Sequence, residues 1–172
     1  MKATYGILLV ILLLMLAGCQ SHTAPPTGEE NENIRQEITA QFKGLIDAVN
    51  RIDAQAWADY YSVDEYLSAF VSTDYYGTRR EWVETITRYF AQREFQHVDI
   101  QEIRVIPLTH ELALMTSREK TEMRVMGGES AMFHHGFTML WKKGSAGWKI
   151  IHSHESVMEE PAGPAFDRQS DR

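Results

Sequence analysis

Apolar residues recur along this chain with two different periods, and the change of period divides it. Ile34, Ile38, Phe42, Leu45, Ile46 and Val49 lie on one face of a helix, with Asn33 as its expected cap. A second helix is expected after Asp53, turning Ala56, Trp57, Tyr60 and Tyr61 to the core. Tyr66–Val71 reads as a short strand and Thr73–Gly77 as a turn. Thr78, with Glu81 three residues on, has the form of a capping box. It opens a third helix in which Trp82, Ile86, Tyr89 and Phe90 share a face.

From His97 the period becomes two. His97–Ile106 alternates, Pro107–His110 interrupts, Glu111–Met126 forms a long run, and Gly127-Gly128 predicts a two-residue hairpin turn. Two last strands, Phe133–Lys143 and Trp148–Ser156, flank Gly144-Ser145-Ala146-Gly147. Helices first and long antiparallel strands after predict an α+β class, with three helices on one face of a curved sheet.

Register decides which side chains face inward, because opposed residues share a face. With Lys143 opposite Trp148, Trp141 faces Ile150, Met139 faces His152, Phe137 faces His154 and His135 faces Ser156. The expected inner face then carries Phe137, Met139, Trp141, Trp148 and Ile150, with His135, His152 and His154 among them. Of the adjacent pair His134 and His135, only one can point inward. With Met126 opposite Glu129, Arg118 faces Phe137 and joins the histidines, and Lys120 faces His135.

The ends have a different character. Lys2, the apolar run Ile7–Leu16 and the small residues Ala17 and Gly18 have the layout of a secretory signal, in a run too short to span a bilayer. Leu16-Ala17-Gly18-Cys19 resembles a bacterial lipobox. That resemblance implies that Cys19 is acylated and begins the mature chain. The domain is then tethered in the bacterial cell envelope, with Gln20 after the cysteine favouring the outer membrane and its periplasmic side. Residues 19–32 read as a flexible tether, 33–157 as one domain and 158–172 as a frayed tail. Cys19 is the single cysteine of the sequence, so no internal disulfide is available. Removing residues 1–18 leaves 16 basic against 24 acidic residues, a net charge of −8, which argues against nucleic acid as a partner.

The closing run, with Thr138, Trp141, Trp148, Ile150, His152, His154 and Ser156, resembles the nuclear transport factor 2-like superfamily, also called the cystatin-like cone. The SnoaL-like branch and the association domain of calcium/calmodulin-dependent kinase are the nearest branches. The resemblance covers about Ile34 to Val157 and implies a pocket between the helices and the concave sheet face. It also implies that the outer sheet face, here Thr138, Leu140, Ile151 and Ser153, forms a homodimer. Superfamily members carry an Asp or Glu base or an Arg in the pocket, and no inward acid is evident here.

Within such a pocket Arg118, His135, His152, His154, Trp141, Met139 and Tyr61 are the expected ligand contacts. Guanidinium pairs with carboxylate or phosphate through two parallel hydrogen bonds, so a small anionic molecule is the first expectation. A salt bridge from Arg118 to Asp59 or Glu84 is its structural alternative. Isomerase or dehydratase chemistry with His152 or His154 as base, and Tyr60 or Tyr61 as phenol, is a second expectation. A module that only dimerises or docks is the third. A three-histidine metal site is disfavoured by Arg118 and by the lack of an orienting carboxylate. No cofactor is expected, and nothing in the pattern supports a nucleophilic serine or cysteine.

Overall fold

The computed structural model describes residues 26–63 and 67–159. Nine elements follow in chain order: α1 (Gly28–Asn50), α2 (Ala54–Ala58), β1 (Ser68–Val71), β2 (Asp74–Tyr76), α3 (Arg79–Ala91), β3 (Arg93–Pro107), β4 (Leu112–Val125), β5 (Ser130–Gly144) and β6 (Gly147–Glu159). The strands form one six-stranded sheet in the order β2-β1-β6-β5-β4-β3. The three helices cover its concave face, so the α+β cone expected from the sequence is the fold. The signal segment and Cys19 lie outside the described residues, as does Tyr66.

The helices follow their apolar periodicity, with corrections at the ends. α1 buries Ile34, Ile38, Phe42, Leu45, Ile46 and Val49 as expected. Its cap is Thr27, not Asn33: the Thr27 amide and hydroxyl donate to the Glu30 carboxylate at 2.9 and 2.7 Å. Residues 28–32, read as tether, are therefore the first helical turn, where Glu29 and Glu30 complement the helix dipole. Polar residues at a helix start carry no apolar period, so the pattern hides them. Asp53 accepts from the Ala56 amide at 2.9 Å to open α2, and Thr78 accepts from Glu81 at 3.2 Å to open α3.

Two further boundaries differ. The segment read as a turn over Thr73–Gly77 contains β2, which pairs antiparallel with β1 around Ser72 and Thr73. Ser72 takes the left-handed backbone there, at φ 53°. β6 continues to Glu159, two residues into the segment read as a tail.

The two long hairpins decide the interior. β5 and β6 pair as expected near their turn, with Lys143 opposite Trp148 and Trp141 opposite Ile150. Gly147, at φ 83°, makes that turn tight, and Trp148 Nε1 and Lys143 Nζ tie it to Glu37 of α1 at 2.6 and 2.9 Å. Beyond Trp141 the ladder slips at a bulge: Leu140 lies opposite His152, Met139 opposite Ser153 and Phe137 opposite Glu155. Ile151 is the extra residue. One extra residue exchanges the faces of everything after it. His152 and His154 therefore lie on the outer face beside Phe70 of β1, with ring centroids 6.3 and 5.8 Å from it. Ser153, Glu155 and Val157 turn inward.

The β4–β5 hairpin corrects the other register by one residue. Its loop runs from Met126 to Glu129, with Gly127 at φ 72°, and Arg124 lies opposite Ser130. Glu119, not Lys120, stands across from His135, and Arg118 stands across from Gly136. Energetics favour this choice clearly. The expected register would turn Arg118, Lys120, Glu122 and Arg124 inward, and each buried charge costs several kcal/mol. The observed register turns Ala113, Met115, Ser117, Glu119 and Thr121 inward instead, and all five are buried.

Candidate active site

The concave face of the sheet and the helices enclose a cavity of ≈ 200 Å³. An apolar protein cavity of about 150 Å³ holds benzene, so this one suits a substituted ring or a small bicycle. Its helix-side wall is aromatic. Trp57 packs on Tyr61 with ring centroids 4.6 Å apart, and Trp82 meets Trp57 edge-on at 5.5 Å. Phe42, Phe90, Phe133, Phe137, Met123 and Met139 complete most of the apolar lining. α1, α2 and α3 contribute Phe42, Trp57, Trp82 and Phe90, because each turns its apolar stripe toward the sheet, and Tyr61 follows α2. Met123 of β4 with Phe133, Phe137 and Met139 of β5 come from the sheet itself.

Polar groups are few and converge on the sheet side. His135 Nδ1 lies 2.6 Å from Glu155 Oε1, the pairing that the bulge in β6 creates. An ionised carboxylate only accepts, so Nδ1 is the nitrogen that donates to it, and a neutral ring so held presents its lone pair at Nε2. Nε2 is buried and has no hydrogen-bond partner among the described residues. The ring is held between Phe133 and Phe137, lying nearly parallel to Phe137 at 10° with centroids 6.0 Å apart.

Glu119 lies directly across from His135 and is 3% exposed. Burial pushes its carboxyl up to about 7, against the hydrogen bond from Ser117 (2.8 Å) and the nearby His135 ring. Tyr61 is also 3% exposed, and burial raises its phenol well above the ordinary range. Arg93, Gln96 and Thr121 supply the remaining polar lining with Glu119, His135 and Glu155. Arg93 donates to Gln96 Oε1 and stands 5.0 Å from the centre of the Phe90 ring.

Three of the side chains expected from the sequence line this cavity: His135, Met139 and Tyr61. Trp141 is fully buried in the core but outside the lining. Tyr60 packs against α1 instead, its hydroxyl so close to Gly44 that an added Cβ there would sit 2.3 Å away. His152 and His154 are on the convex face, where His152 Nδ1 lies 2.9 Å from Ser68 Oγ. Arg118 is also outside, 74% exposed, and pairs with Glu102 at 3.3 Å instead of with Asp59 or Glu84. The acids thought to be lacking are present as Glu119 and Glu155. Among the described residues no cluster of three or more His, Cys, Asp or Glu side chains could hold a metal ion.

The fold and this pocket define the class. A SnoaL-like domain family model matches residues 38–160, and the chain belongs to that family. Solved structures agree on the fold at low identity. A protein assigned as a dehydratase of the nuclear transport factor 2-like family from Streptomyces avermitilis superposes with a TM-score of 0.67 at 14% identity, covering 74% of this chain and 98% of its own. A protein assigned as a scytalone dehydratase from Novosphingobium aromaticivorans gives 0.71 at 10% identity, covering 81% and 100%. One assigned as a calcium/calmodulin-dependent protein kinase II association domain from Xanthomonas campestris gives 0.62 at 18%, covering 71% and 86%. No curated protein matches the chain in sequence.

Proposed function

We propose that this domain is a proton-transfer enzyme of the isomerase or dehydratase kind, acting on a small cyclic molecule that carries a carbonyl group. The observation that carries this is the His135–Glu155 pair, 2.6 Å apart, with the second ring nitrogen bare in an aromatic cavity. His135 Nε2 takes a proton from the carbon next to the carbonyl, and Glu155 stabilises the resulting imidazolium. Glu119, poised near neutrality, gives its proton to the developing enolate oxygen or to a departing hydroxyl. In a dehydration the hydroxyl then leaves as water, and in an isomerisation the imidazolium returns its proton at another carbon while Glu119 takes the enol proton back. Two of the similar structures are assigned as dehydratases, which supports the same chemistry. The interior is not packed solid, which favours a pocketed function over a purely structural module.

A deuterium-exchange assay tests this. Cyclohexanone, 1-indanone and 2-tetralone in D₂O at neutral pH, followed by proton NMR, should lose their α-hydrogens faster with the wild-type protein. His135→Gln should reduce that acceleration by about 10²-fold or more, the usual weight of a positioned base. Absence of acceleration with all three ketones, or equal acceleration by the variant, would sink the assignment.

We also propose that the domain works as a lipid-anchored protein of the bacterial envelope. The lipobox-like Leu16-Ala17-Gly18-Cys19 supports this.

A further inference from the structure

Arg93 begins β3, directly after the C-terminal turn of α3, and it lines the cavity with Tyr89, Phe90 and Gln96. The side chain is substantially withdrawn from water, and burial lowers the affinity of the guanidinium for its proton. Its partners are the Gln96 amide oxygen and the Phe90 ring, both uncharged. Among the described residues no carboxylate forms an ion pair with it, whereas Arg35, Arg118 and Arg124 each have one. Glu155 acts on it only through space and already holds His135. A cation withdrawn from water needs a counter-charge, and a planar fork of donors fits a carboxylate.

We infer that the substrate supplies that counter-charge: the cavity takes a ring bearing a carboxylate, with the carboxylate on Arg93 and the ring against Trp57 and Trp82. This rests on the cavity being the substrate site and adds the substrate class. Tyr89, 42% exposed, and the partly exposed Arg93 and Phe133 mark the wetter end of the lining, while Phe42, Trp57 and Met139 form the dry end. A carboxylate at the wet end retains part of its hydration, so the ring alone undergoes full burial. The anionic ligand expected from the sequence is thus carried by a different arginine.

The probes are benzoate and benzamide, matched in shape and differing in charge, titrated while the fluorescence of the cavity tryptophans is read. Wild-type protein should bind benzoate at least about tenfold tighter than benzamide. Arg93→Gln should bring the ratio to about one with benzamide binding kept, and Arg118→Ala should leave the wild-type ratio unchanged. Arg93→Lys, which keeps the charge, should retain part of the preference if the glutamine variant does not fold. Equal binding of the two probes by wild-type protein, no benzoate binding at millimolar concentration, or an undiminished preference in a folded Arg93→Gln variant would each overturn the inference. Exchange of ketone α-hydrogens through His135 would survive such a result, so the two assignments fail separately.

Discussion

Glu119 is the residue whose environment most changes its chemistry. In water its carboxyl would titrate near 4.5, and burial moves it to about 7. The folded protein therefore holds that proton more tightly than the unfolded chain does. For this group stability is greatest below pH 4.5 and falls as pH rises through about 7, by on the order of 3 kcal/mol. Glu119→Gln removes the titration. Urea melts should show the variant gaining on wild type by that order between pH 4.5 and pH 8. A stability difference that does not change with pH would return Glu119 to ordinary titration. Groups perturbed in this way cluster at functional sites, and the proposed acid role of Glu119 draws on that. At this scale the sequence announced His135 and Tyr61, but it could not announce Glu119, whose meaning comes from the Ser117 hydroxyl, the aromatic wall and the ring opposite.

Two strands carry the difference between the expected and observed sites. In β4 the correct facing was legible in the strand itself, because Arg118, Lys120, Glu122 and Arg124 alternate with Ala113, Met115, Ser117 and Thr121. Pairing Met126 with Glu129 across Gly127-Gly128 overrode that alternation and shifted the ladder by one residue. In β6 no such signal exists: Ile151, the bulged residue, is apolar and β-branched like its neighbour Ile150. Its placement shows only against β5, where the bulge adds local twist to a sheet that must curve around the cavity. Single cysteines at 153, 154, 155 and 156, in a Cys19→Ser background, test the facing directly. A soluble thiol reagent should modify positions 154 and 156 quickly and 153 and 155 slowly. The opposite alternation would restore His152 and His154 to the interior.

At the scale of the molecule, helices on a curved sheet make a container whose far wall is β4 to β6. Its capacity, ≈ 200 Å³, is that of one substituted ring, and in the proposed complex the substituents of that ring meet His135 and Arg93. The proposed anchor belongs to this scale as well. No described helix is long and apolar enough to cross a membrane, and the proposed attachment is through acylated Cys19. Cell fractionation of a Cys19→Ser variant should move the protein from the membrane pellet to the soluble fraction. Continued membrane association would count against acylation as the tether.

By itself the sequence determined the fold class, the helix faces, the hairpin at Gly144–Gly147 and the inward aim of His135. These follow from short-range periodicity, which a linear chain records directly. The tertiary structure alone decided that Glu155 joins His135, that Glu119 enters the cavity and that Arg93 lines it while Arg118 does not. The places of Glu155, Glu119 and Arg118 each hang on one residue of strand register, and that of Arg93 on where β3 leaves α3. Register is settled by the summed burial of both faces and by the curvature of the whole sheet, quantities that no single stretch of sequence contains.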